Sequence, residues 1–180
     1  MGYLCNPIPE GLSQEEVTKE KEKRKRDSSN QLKVNNRTIE LKPKNLNITT
    51  HICRGNYRSD WSSEGPYDAV ASPLFDQENV NAYYLEFDNE RSGDFQPLKK
   101  MSDNKLVVLG LVTSKSGKLE DRKTIINRIN EASQYIPLDR LALSTQCGFA
   151  STEEGNEITF DQQWEKIKLI TSVAKEIWGE

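Results

Sequence analysis

The sequence predicts an α/β protein built on a parallel sheet, and three observations predict it. Four strand-like segments, 47–53, 82–87, 106–113 and 141–147, recur at intervals near 30 residues. Helical stripes follow the later ones: Ile125, Ile129, Ala132 and Ile136 after the third, and Trp164, Ile167, Ile170, Ala174 and Ile177 after the fourth. The third segment, Leu106-Val107-Val108-Leu109-Gly110-Leu111-Val112, is apolar without alternation, as a strand covered on both faces requires. Strands alternating with helices at this interval read as βα units.

The chain opens less like a packed protein. Residues 1–30 are predicted as a charged leader, partly helical or disordered, ahead of a domain spanning 31–180. Ser13 and Glu16 stand at capping-box spacing. The helix expected after them, over 15–26, has Val17 as its lone apolar residue and therefore no stripe to bury. Lys19 to Arg26 could be a basic targeting or nucleic-acid patch, but Glu20 and Glu22 interrupt it, which suits a solvated face better. A weak amphipathic pattern through Leu32, Val34 and Ile39 ends before Pro43. Between the first two strands, 60–77 is rich in Gly, Pro and Ser and is predicted as a long loop with at most one helix, near 73–79.

Bulk properties narrow the function classes. A length of 180 residues suffices for one domain with a core. A hydrophobic fraction of 34% and a mean hydropathy of −0.78 are low for a compact globule, so part of the chain is unpacked or the chain is a piece of something larger. The formal charge of −3 gives no reason to expect nucleic acid or an anionic membrane as partner. No apolar run approaches the roughly 18 residues of a membrane span. Three widely spaced cysteines, Cys5, Cys53 and Cys147, argue against a disulfide framework and for a reducing cytoplasm.

The candidate chemistry lies at strand ends. His51 is the only histidine, two positions before Cys53. Residues two apart on a strand share a face, so imidazole and thiol would sit side by side, with Gly55 ending the strand. In parallel α/β folds the working groups gather at the carboxyl ends of strands. There Glu86 closes the apolar and aromatic run of the second segment, and Cys147 stands at the matching height after the fourth. His51, Cys53, Glu86 and Cys147 form a set suited to Zn²⁺. Each member also has a plainer role: Cys147 as a small buried apolar residue, Glu86 as the partner of Arg91, and His51 as a hydrogen-bonded strand-end residue.

At HICRGNYRSDW the sequence resembles the catalytic barrel of cobalamin-independent methionine synthase, closest to its short single-barrel bacterial relatives. YYLEFDNERSGDFQPL, VVLGLVTSKSGKLEDR and LALSTQCGFASTEEGN carry the likeness onward in the family's order and at about its spacing. The resemblance implies the C-terminal half of a (β/α)8 TIM barrel, since a full barrel needs roughly 250 residues. It implies zinc on His51, Cys53, Glu86 and Cys147, and a methyl group passed from 5-methyltetrahydrofolate, as its polyglutamate, to homocysteine to give methionine. Methionine synthases proper carry a histidine proton donor at the third strand end. Lys115 stands there in this chain, which leaves the proton donor and the methyl donor open. Arg54, Asn56 and Arg91, beside the ligands, are expected to orient them or the substrate carboxylate, although an ordinary salt bridge would equally occupy the two arginines. Two other functions stand beside this one: an inactive zinc-binding half-barrel that needs a partner chain or self-association, and a zinc thiol methyltransferase with another methyl donor.

Overall fold

The structure, a computed structural model, describes residues 2–179. Its first long element is helix α1, Gln14–Ile39. The capping box forms: the Ser13 hydroxyl accepts from the Glu16 backbone N–H at 3.3 Å, and the Glu16 carboxylate accepts from the Ser13 backbone N–H at 2.8 Å. The two segments expected at 15–26 and around Leu32 to Ile39 are one uninterrupted helix. The join runs through Ser28, whose hydroxyl donates to the Lys25 carbonyl at 3.1 Å and is buried. Only Ser28 is fully buried in α1, while Leu32 and Ile39 pack at the core's edge.

The four strands lie where the sequence placed them, trimmed by a residue or two: β1, Thr49–Ile52; β2, Ala82–Glu86; β3, Leu106–Val112; β4, Leu141–Thr145. They form one parallel sheet in the order β1-β2-β3-β4. Thr49 is level with Ala82 and Leu106, and Glu86 is level with Gly110 and Ser144. This register brings all four carboxyl ends to one rim. Among the described residues β1 and β4 each have a neighbour on one side only.

Helices cover the opposite face of the sheet. A turn of helix α2, Asp68–Val70, runs into a π-helical turn, Ala71–Phe75, so the helix in the long loop starts earlier than predicted. Tyr67, Phe75, Tyr83 and Phe87 form the aromatic centre of the core there, with Leu74 beside them. Helix α3, Arg122–Ala132, is capped by Asp121 and buries Ile125, Ile129 and Ala132, as its stripe predicts. Helix α4, Phe160–Trp178, begins with a Thr159–Gln162 capping box and ends at Gly179 in the left-handed region. Its stripe is turned from the expected one. Ile170 and Ile177 pack on the core, but Trp164 is 57% exposed and Lys166 takes the inward position near the helix start. The Lys166 ammonium reaches the Lys118 carbonyl at 2.6 Å and the Glu120 carboxylate at 2.9 Å, which satisfies a buried charge and sets the helix's rotation. Among the described residues no helix is long and apolar enough to cross a membrane.

Candidate metal centre

His51 lies in β1, Cys53 just beyond its end, Glu86 at the end of β2 and Cys147 two residues past β4. Their donor atoms all lie within 4.8 Å of one another. No disulfide intervenes, as the three cysteines are free. Two glycines make the rim possible. A Cβ on Gly110 would lie 2.7 Å from the Gln146 Cα, so only glycine lets the end of β4 close against β3. Gly55 has φ +72, and a Cβ there would meet the Ser62 Oγ at 2.1 Å. Its backbone N–H donates back to the Cys53 sulfur at 3.3 Å.

The hydrogen bonds fix each donor's direction. The His51 Nδ1 lies 3.1 Å from the Tyr84 carbonyl, which can only accept, so Nδ1 carries the proton and Nε2 faces the cluster. Glu86 is fully buried. Its Oε1 accepts from the Arg54 backbone N–H at 3.0 Å and from the Asn56 Nδ2 at 2.8 Å, and its Oε2 accepts from Arg91 Nη2 at 2.7 Å. Asn56 Nδ2 also lies 3.4 Å from the Cys53 sulfur.

The electrostatics are those of a site short of positive charge. Burial works against a charged His51, but hydrogen bonds to Cys53 and Glu86 outweigh it and raise its pKa to about 9. Hydrogen bonds from Cys147 and then His51 hold the Cys53 thiol far below its ordinary range. Cys147 is pushed far up, first because it supplies that proton to Cys53 and then by burial. These opposed shifts follow from four donor groups packed close enough to share protons with one another. Two sulfurs, an imidazole nitrogen and a carboxylate oxygen fit zinc in number and kind.

Of the other expected residues, Asn56 and Arg91 reach the cluster directly. Arg91 also bridges to Asp88, with its Nη2 3.1 Å from Oδ1. Asp88 in turn holds the Lys115 ammonium at 2.5 Å. A line of charges, Glu86–Arg91–Asp88–Lys115, therefore joins the cluster to the end of β3, and Trp61 roofs it, 4.6 Å from Arg91 and 5.6 Å from Lys115. Burial lowers the Lys115 pKa against the opposing pull of Asp88. The Arg54 side chain turns away from the donors and lies fully buried 4.3 Å over the Tyr67 ring, so only its backbone touches Glu86. Three residues of the rim were not singled out in the sequence: Asp88, Trp61 and Gln146. Asp88 had a signal, standing two positions after Glu86. Gln146 and Trp61 had none.

A parallel α/β sheet flanked by helices, with sulfur, nitrogen and oxygen donors gathered on its carboxyl rim, defines a class: half of an α/β barrel bearing a group of residues that could hold a metal ion. The comparisons make it specific. No protein-family model matches the chain. The uncharacterized protein YxjG of Bacillus subtilis is 52% identical over 145 residues, covering 79% of this chain and 38% of that protein. A methionine synthase of Pyrococcus horikoshii is 24% identical over 135 residues, covering 75% of this chain and 36% of the other. The crystal structure of a Listeria monocytogenes protein, assigned provisionally as a vitamin-B12 independent methionine synthase, superposes with a TM-score of 0.68 at 37% identity. It covers 99% of this chain and 46% of its own. The chain belongs to the cobalamin-independent methionine synthase family and matches half of its TIM barrel. It spans less than half the length of these relatives.

Proposed function

We propose that the chain carries the thiol-activating side of a zinc-dependent methyl transfer site, in which homocysteine takes a methyl group from a methylated reduced folate. The observation that supports this best is the single cluster formed by His51, Cys53, Glu86 and Cys147 from three strand ends. When bound there, zinc would hold a substrate thiol as a nucleophilic thiolate, because two protein thiolates and a carboxylate leave it a weak Lewis acid.

The remaining roles belong to the chain's own side chains. Asn56 and Arg91 hold Glu86 and keep its charge compensated. Arg54 supports Glu86 from the backbone, and its guanidinium belongs to the core. As the sulfur–methyl bond forms and the N5–methyl bond of the folate breaks, the electron pair stays on N5, which then takes a proton. Lys115 is the group we assign to supply it, since burial eases the loss of its proton while Asp88 keeps it oriented. The test is methyl transfer from 5-methyltetrahydrofolate to homocysteine, with Lys115→Met losing most of kcat while substrate binding persists. Unchanged kcat in that variant would remove Lys115 from the chemistry.

One observation favours a second requirement, a partner half. Tyr84 and Leu106, on the same face of the sheet as His51, are 41% and 49% exposed, and Phe160 and Trp164 stand out from α4. Exposed apolar side chains beside two unpaired strand edges need cover. We propose that the complementary half of the barrel, in the same polypeptide or another, supplies that cover and the rest of the substrate pocket. Assays with and without that half distinguish an active site that needs completion from an inactive zinc-binding half. Transfer only from other methyl donors would point to a different zinc thiol methyltransferase.

A further inference from the structure

Behind the donors runs a chain of side-chain amides whose direction is set by a single backbone group. The Ser114 backbone N–H, at the end of β3, can only donate, and it reaches the Gln146 Oε1 at 2.9 Å. The Ser114 hydroxyl donates to the same oxygen at 2.7 Å. With Oε1 fixed as the acceptor, Gln146 must present its NH₂ on the other side, where Nε2 lies 3.1 Å from Asn56 Oδ1. With that oxygen engaged, Asn56 must turn its own NH₂ toward Glu86 Oε1 at 2.8 Å and the Cys53 sulfur at 3.4 Å. Neither amide can flip without opposing like groups. Gln146 is 2% exposed and Asn56 8%, so water does not compete for these bonds.

The far end of the relay is anchored in the same way. Asn156 Nδ2 donates to the Ser114 carbonyl at 3.0 Å, and its Oδ1 accepts from the Ser59 backbone N–H at 3.1 Å. A third amide of forced orientation therefore ties the loop after β4 to the loop after β1 and to Ser114.

We propose that Gln146 is a positioning residue for the metal centre. Acting only through Asn56, it holds an N–H donor against Glu86 and Cys53 and so keeps both in ligating geometry. This rests on the metal reading above. A buried donor aimed at a carboxylate and a thiolate lowers the cost of keeping both negative charges in a dry site. Outer partners of this kind typically change metal affinity 10- to 100-fold when removed.

The test is Zn²⁺ affinity by chelator competition, with the Co²⁺ absorption spectrum as a readout of ligand geometry, on the full chain. Gln146→Leu and the isosteric Gln146→Glu should each weaken binding about 10-fold. Either should also alter the Co²⁺ spectrum. Gln146→Leu combined with Asn56→Ala should be no weaker than Asn56→Ala alone, because the first residue works through the second. Wild-type affinity and spectrum in the Gln146 variants, or additive losses in the double variant, would overturn the proposal. Should the Gln146 variants misfold, ¹⁵N-labelled wild-type protein decides. The side-chain amide protons of Gln146 and Asn56 should exchange slowly, and those of Asn56 should shift on adding Zn²⁺; rapid exchange of both would overturn the relay. A wild-type chain that binds no metal but keeps both amides protected would remove the metal reading and leave the hydrogen-bond relay standing.

Discussion

Helix α1 and the strand-end rim are both rich in polar residues, yet they are held in opposite ways. Along α1 most polar groups face water, with Lys19–Glu15 an exposed pair one turn apart. Beside the packing of Leu32 and Ile39, the bonds that dock it are few: Arg24 to the Asn6 carbonyl, Asn36 Nδ2 to the Gln77 carbonyl at 2.9 Å, the Asn79 N–H to Asn36 Oδ1 at 2.7 Å, and Asn35 to Glu78 at 2.5 Å. On the rim, Glu86, Arg91, Asp88, Asn56 and Gln146 bond to one another out of water, with only Arg91 Nε and Nη1 and Asp88 Oδ1 lacking a hydrogen bond among these residues. A polar group whose alternative is water contributes little, whereas one whose alternative is an unpaired buried atom is costly to disturb. The helix keeps its shape through caps and propensity, and the rim keeps its shape through mutual dependence.

Four changes test that contrast, and the largest effect belongs to the rim. Glu86→Ala leaves Arg91, the Asn56 amide and the Arg54 N–H facing a void, and should cost roughly 3–5 kcal/mol in denaturant unfolding of the metal-free chain. Lys166→Met comes next. It strips the Lys118 carbonyl and Glu120 of their buried cation and should cost about 2 kcal/mol.

Tyr83→Phe should cost about 1–2 kcal/mol at neutral pH, because the hydroxyl serves both the Leu74 carbonyl, at 2.8 Å, and the Glu78 carboxylate. This site also carries a pH signature. Burial, then the bond to Glu78, pushes the Tyr83 hydroxyl well above its ordinary value of 10.0. The folded state therefore keeps a proton that the unfolded chain releases. Its stabilising contribution is complete below pH 10 and declines as the pH rises beyond it. Wild-type stability measured from pH 9 to 11 should fall more steeply than that of Tyr83→Phe. Ser13→Ala should have the smallest effect, about 1 kcal/mol or less, seen as a slight loss of helical circular dichroism. A larger loss there than at Lys166 would reverse the contrast.

The same contrast explains what could be read from residues alone. The strands were legible because β-branched and apolar runs need no partner to be recognised, and β3 is apolar throughout. The four donors were legible because a lone histidine two residues from a cysteine, with further donors at matching strand ends, leaves little else to choose. Gln146 was not legible. A glutamine carries no periodic or chemical signal, and its role exists only once β3, β4 and β1 are side by side. The continuity of α1 through Ser28 was hidden because a serine's local backbone bond can end a helix or lie within one. The exposure of Trp164 was hidden because apolar spacing favoured the tryptophan, while the charge pair of Lys166 and Glu120 decided the rotation.

The central claim is that His51, Cys53, Glu86 and Cys147 act as one metal site. Metal analysis of the chain, purified without chelators, tests it most directly, alongside single replacements of the four residues. Close to one zinc per chain is expected, with a clear loss in Cys53→Ser and Cys147→Ser and a smaller one in His51→Ala and Glu86→Gln. A wild-type chain free of metal, or zinc content indifferent to all four replacements, would contradict it.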